Sequence, residues 1–392
     1  MDHIRNPFAP GAGNPPPELA GRGPVINDAR ILLGRIKMGR PAQGMILTGL
    51  RGVGKTVLLS EIRKLAESES YNIISVEAHE GKALTEMLVP ALRETLYNLS
   101  GIEQARQMAA RGLRVLKSFV SSINVSIEGV TFGLGVEPET GIADSGDLEA
   151  DLPRMLEIVA EAAQAAGKPI LLLVDEIQYL STKEFSALIM GLHRINQKQL
   201  PMTMVAAGLP QTLALAGNSK SYAERLFRYP LVGALEPEDA KIALEVPAEN
   251  EGVTFANGAI EDILETTKRY PYFLQQWGYD AWNCAEGTEI KRSDIATATQ
   301  NALRELDQSF FKVRFDRCTP AEKRYMRALA ALGTGTKRSG EIADHLGVKV
   351  NSLGPVRNTL IRKGMIYSPA HGDTAFTVPL FDEFMKRIMP LE

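Results

Sequence analysis

The 392-residue chain has little of what many functions require. Its two cysteines, Cys284 and Cys318, stand far apart and form no C-x-x-C pair. This excludes a disulfide framework and a thiolate zinc site, and suits a reduced, cytoplasmic protein. The five histidines (His3, His79, His193, His345 and His371) show no metal-ligand spacing. No apolar stretch approaches the roughly 20 residues of a membrane span. The polar, proline-rich start lacks the apolar core of an export signal, so neither membrane insertion nor export is expected. A strong overall charge is missing too, the net being −3, but the balance is uneven. Residues 310–392 hold 14 Lys/Arg against 8 Asp/Glu, a net of +6, which leaves −9 for the rest. That asymmetry fits one module facing a polyanion, and equally a basic surface without a ligand.

What is present begins with "LTGLRGVGKTVLLSE" (48–62). It has the pattern G-x-x-x-x-G-K-[ST] through Gly49, Gly54, Lys55 and Thr56. Phosphate oxygens need several backbone N–H groups aimed at one point, and glycines let the chain curl and approach that closely. Lys55 is suited to the β- and γ-phosphates of ATP and the Thr56 hydroxyl to Mg²⁺. The context supports this reading: "GMILT" (44–48) reads as a buried strand, and Val57, Leu58, Leu59, Ile62 and Leu65 recur at helical spacing. Gly49, Leu50, Arg51, Gly52, Val53, Gly54, Lys55, Thr56 and Val57 are therefore the candidate ATP contacts. A second motif, "KPILLLVDEIQYL" (168–180), has a fully apolar strand ending in two carboxylates. Asp175 is suited to the Mg²⁺ shell, and Glu176 to the general base that takes a proton from the attacking water.

Alternating strand and helix patterns run from residue 18 to 235 and predict a parallel sheet with helices on both faces. Residues 1–17 read as a mobile Pro/Gly-rich arm. Within 119–136, Ile123, Val125, Ile127, then Val130, Phe132, Leu134 and Val136 alternate with polar residues around Glu128-Gly129, which predicts an inserted β-hairpin. Strand signals stop after residue 235, so 236–309 is expected to be a small helical lid. Residues 310–392 give three helices and two short strands around "HGD", the pattern of a winged helix-turn-helix.

These stretches resemble the AAA+/STAND supergroup of P-loop ATPases. "GLRGVGKT", "LLLVDEIQYL" and "RYPYFLQQWG" (269–278) are the most specific of them, and prokaryotic archaeal-ATPase and origin-recognition-like proteins are the nearest in kind. The resemblance spans about Leu19 to Arg387 and implies a sheet of order 5-1-4-3-2 with a lid and a C-terminal winged helix. It implies that Leu19, Gly21 and Arg22 close over adenine, that Pro271 of the lid motif lies near the base, and that Arg225 and Arg228 face the γ-phosphate of a neighbouring copy in a homo-oligomer. Three departures stand out. The strand at 202–208 ends in "AAG" where a polar residue commonly aligns the water, Arg269 replaces the lid glycine, and no arginine follows in "YFLQQWGYDAWN". They point to slow hydrolysis used as a switch.

Three functions fit. In the first, ATP controls a winged helix that binds duplex DNA through Lys349, Asn351, Ser352, Arg357, Asn358, Arg362 and Lys363 on the third helix and His371 at the wing tip. In the second, the winged helix only packs on the rest and the chain is a signalling switch that oligomerises with ATP and a protein partner. The third, protein remodelling, lacks any pore-loop pattern.

Overall fold

The computed structural model describes residues 1–11, 13–123, 137–212, 217, 223–370 and 372–390. They form two compact units. One, the sheet unit, comprises Pro24–Thr48 and Leu58–Leu231; the other, the loop-and-lid unit, comprises Met1–Gly23, Gly49–Val57 and Val232–Glu392.

In the sheet unit, β1 (Gly44–Thr48), β2 (Asn72–Glu77), β3 (Ile170–Asp175), β4 (Met202–Gly208) and β5 (Phe227–Arg228) form one sheet. Its order is β2-β3-β4-β1-β5 and every pairing is parallel, the expected order read from the opposite edge. All of β1 and β4 is buried, and in β3 only the final Asp175 reaches the surface. Strands that are apolar on both faces require helices on both, and these come from α1 (Gly23–Lys37), α2 (Lys55–Ser68), α3 (Leu84–Ser100), α4 (Arg106–Ser122), α5 (Leu148–Ala166) and α6 (Thr182–Gln197). A capping box between Ser181 and Glu184 starts α6. Because the strands are parallel, Thr48, Asp175 and Gly208 all finish on one edge, with Thr48 opposite Gly208 and Val174 opposite Ala206. In such sheets that edge is where ligands bind.

The segment 119–136, expected to be a hairpin, starts inside a helix. Phe119 to Ser122 belong to α4, where buried Val115, Leu116 and Phe119 follow helical spacing. The remainder, 124–136, lies outside the described residues.

In the loop-and-lid unit, the segment expected to be a purely helical lid holds α7 (Pro237–Asn250), α8 (Ala259–Thr267), α9 (Pro271–Cys284) and α10 (Arg292–Leu306), and it also contains a short parallel pair between β6 (Thr254–Phe255) and β7 (Glu289–Ile290). The C-terminal module follows with α11 (Pro320–Ala331), β8 (Lys337–Arg338), α12 (Ser339–Leu346), α13 (Val350–Arg362), β9 (Ile366–Tyr367) and β10 (Asp373–Phe376). Its strands form an antiparallel sheet of order β8-β10-β9. A further helix, α14 (Phe381–Ile388), packs Phe381 and Phe384 against Phe311.

The start of the chain differs from the mobile arm its composition suggests. Asn6 Nδ2 donates to Tyr279 O and Asn283 Oδ1, each at 3.0 Å. Trp282 Nε1 donates to Asp2 O at 2.9 Å, and Phe8 is only 2% exposed. A few anchoring side chains among the prolines are enough to dock the segment on α9.

Candidate functional site

The loop between β1 and α2 folds as its glycines dictate. Gly52 and Gly54 have φ of +81° and +91°, a region costly to any residue with a Cβ. Lys55 is buried, and its Nζ donates to Gly49 O (2.9 Å) and Leu50 O (2.8 Å). Three successive carbonyls of the loop accept hydrogen bonds from residues outside it. Tyr270 Oη donates to Arg51 O, Tyr272 N to Gly52 O (3.1 Å), and Arg22 Nη2 to Val53 O (3.1 Å). A buried cation beside a glycine-formed curl, with these carbonyls held from outside, is a donor set that fits a polyphosphate.

The lid motif supplies the two tyrosines. Lys268 and Arg269 both have left-handed backbones, with φ of 53° and 60°. Arg269 thus keeps the conformation for which a glycine was expected. Pro271 opens α9 at its first turn, half-buried. Burial raises the Tyr270 phenol well above its ordinary value, so its proton stays available to the Arg51 carbonyl. Of the residues expected around adenine, Leu19 is half-buried and Gly21 exposed. Arg22 Nη2 also donates to Gly233 O (2.7 Å), so it buttresses the loop by backbone contacts. Burial lowers its pKa, with Asp239 opposing.

In the sheet unit, Asp175 ends β3 level with Glu77, and Ala78 N donates to its carbonyl at 3.0 Å. Glu176 follows in a left-handed conformation (φ 50°), and its N–H donates to Asp175 Oδ1 at 2.8 Å. Its carboxylate Oε2 accepts from Gln178 Nε2, while Gln178 Oε1 accepts from Leu209 N at 3.0 Å. Gln178 was not singled out from sequence; the only signal was its place two residues after the carboxylate. Arg228 forms an exposed ion pair with Asp28 at 3.1 Å. The Arg225 side chain is exposed, and its carbonyl accepts from Gln43 Nε2.

The basic positions of the C-terminal module divide in two. Arg357 is turned inward. Its Nε donates to Thr374 Oγ1 (2.9 Å), and its Nη2 to Ser368 Oγ and Asp373 O (both 2.7 Å), tying α13 to β10. Lys363 Nζ donates to Glu322 (2.7 Å) and to Arg317 O (2.9 Å). These two are therefore structural ties, not the free phosphate contacts expected from sequence. Lys349, Asn351, Ser352, Asn358 and Arg362 are exposed. His371 lies outside the described residues. The same module meets the phosphate loop: Arg51 N donates to Thr377 O at 3.3 Å. A Cβ on Gly364, which has φ +64°, would lie 2.5 Å from the Arg51 guanidinium.

No helix among the described residues is long and apolar enough to cross a membrane. Residues 18–205 match the family model described as AAA ATPase domain, and residues 308–385 match one described as Domain of unknown function (DUF8462). A comparison with curated proteins finds no match. Among solved structures, the chain is similar to the Walker-type ATPase PABY2304 of Pyrococcus abyssi, at 17% identity over 94% of this chain and 96% of that one, with a TM-score of 0.57. It also matches the Aeropyrum pernix Orc1 protein in complex with DNA at 15% identity (98% and 96% covered, TM-score 0.47). The Thermotoga maritima RuvB Holliday junction branch migration motor matches at 14% identity (95% and 96% covered, TM-score 0.42). The match to the ATPase family covers both the phosphate loop and the carboxylates of β3, on a sheet of the order that family implies, and we conclude that residues 18–205 are an AAA ATPase domain of the P-loop kind.

Proposed function

We propose that this ATPase works as a slow nucleotide switch whose C-terminal winged helix is held on the phosphate loop in one state and released in another. The observation that carries the reading is the Arg51 N–H donating to Thr377 O, with Gly364 packed against the same arginine. A loop residue that binds a carbonyl of the C-terminal module cannot move towards a nucleotide without disturbing that module. ATP and Mg²⁺ are the ligands in this reading. Lys55 and the amides of residues 52–56 would hold the phosphates, and Thr56 and Asp175 the metal. When bound, Mg²⁺ neutralises charge developing on the phosphate oxygens. Glu176 accepts the proton of the attacking water. Arg225 and Arg228, both at the surface, suit contact with a second copy of the chain. Two free cysteines fit a reducing compartment such as the cytoplasm.

Hydrogen exchange on the full chain tests the switch. With ATP·Mg²⁺ held by the Glu176→Gln variant, amides of residues 364–378 should exchange faster than with ADP. Equal protection in the two states would remove the coupling.

A second reading, duplex-DNA binding by the released module, is supported by the exposed row Lys349, Asn351, Ser352, Asn358 and Arg362. It rests on fewer cations than the sequence suggested, because Arg357 and Lys363 are engaged internally.

A further inference from the structure

We infer that Gln178 is a positioning residue for hydrolysis: it orients the Glu176 carboxylate and ties it to the end of β4. The inference rests on the reading of Glu176 as general base.

The amide can point only one way. Leu209 N–H is a donor with nothing to accept, so the Gln178 oxygen must face it, and the NH₂ group must face the Glu176 carboxylate. One Glu176 oxygen is thereby fixed, while the other stays available to a water. Glu176 is otherwise poorly constrained, being half-exposed on a left-handed turn, and one well-directed hydrogen bond decides where its carboxylate points.

The bare end of β4 also acquires a reason. A Cβ on Gly208 would lie 3.0 Å from Gln178 Oε1, 2.8 Å from Ile177 Cγ2 and 2.5 Å from Thr212 Oγ1. The space a polar side chain would take at that strand end is filled by neighbouring groups, with the Gln178 amide reaching in from the turn after β3. Polar contact at the terminus of β4 is thus supplied from the neighbouring strand. Any shift of Leu209 is transmitted through one side chain to the base.

Steady-state hydrolysis by the full-length chain tests this. Gln178→Ala should lower kcat at least about tenfold, a fraction of what general-base catalysis supplies, while KM for ATP changes less than about threefold. Gln178→Glu keeps the acceptor for Leu209 but removes the donor to Glu176, so its kcat should fall as in Gln178→Ala. A residue that merely stabilised the turn through Leu209 would be rescued by Gln178→Glu. Gln178→Ala or Gln178→Glu with kcat within twofold of wild type overturns the inference. Glu176→Gln measured alongside separates the two failures. If it hydrolyses at the wild-type rate, the assignment of the base is wrong; if it is inactive while the Gln178 variants are normal, only the role of Gln178 falls.

Discussion

The turn after β3 and the helix α13 look alike in sequence: each follows its apolar positions with charged or polar groups that invite a ligand. The structure separates them. At β3 the strand ends where the sheet ends, so Asp175 and Glu176 emerge at an edge where the chain turns away. On α13 the charges alternate around a helix packed on one face, so the same run yields both exposed Arg362 and inward-turned Arg357. A charge at a strand terminus has a direction set by topology. A charge on a packed helix has a direction set by its neighbours, and the sequence names those neighbours poorly.

Three variants probe that contrast, from the largest effect to the smallest. Glu176→Gln should keep nucleotide-dependent thermal stabilisation yet lower kcat by about 10²- to 10⁴-fold, the usual range for a lost general base. A smaller loss, with stabilisation intact, would make the turn after β3 as ambiguous as α13. Arg357→Ala should destabilise the chain by about 2 kcal/mol, read as a lower urea midpoint, because it strips hydrogen-bond partners from Thr374, Ser368 and Asp373. An unchanged midpoint would return Arg357 to the free cations. Lys349→Ala with Arg362→Ala should change stability by less than about 0.5 kcal/mol. If the module binds DNA, the pair should flatten the log K versus log salt slope by about two.

Glu322 adds a pH test of the same contrast. Burial pushes its carboxyl up, but the Lys363 hydrogen bond, the Thr319 amide and the Lys363 charge together bring it below its ordinary value. A carboxylate depressed in the folded state contributes stability that is present above the unfolded pKa and is lost as pH falls through the folded value. Lys363→Met removes the lysine hydrogen bond and charge but keeps the Thr319 hydrogen bonds, so Glu322 should titrate higher than in wild type. The stabilising contribution of its carboxylate then shrinks, and the variant should lose most relative to wild type near neutrality and least in acid. Thermal melts of both proteins between about pH 3 and 7 measure this. A constant difference across that range would mean that the ion pair does not set the Glu322 titration.

The sheet was legible because buried parallel strands have few alternatives: five apolar residues from Ile170 to Val174 cannot face water. The loop was legible because only glycine relieves its backbone at residues 52 and 54. Three things were not. The docked start of the chain hides two or three anchors in a composition typical of disorder. Arg22 and Arg357 carry no mark that distinguishes a buttress from a contact. Gln178 is an uncharged residue whose importance exists only once Leu209 and Glu176 are brought to it.

Lys268 and Arg269 have one more consequence. Non-glycine residues held in left-handed conformations cost about 1–3 kcal/mol each and persist only where their surroundings insist on them. Here the insistence comes from next door, where Tyr270 and Tyr272 bond the carbonyls of Arg51 and Gly52. The turn therefore behaves like a drawn catch: while the phosphate loop keeps its present shape the catch stays set, and a change in the loop that frees either carbonyl lets it spring. Where the resemblance leads one to expect a glycine, this chain holds a left-handed arginine beside a left-handed lysine, next to the two tyrosine contacts with the loop.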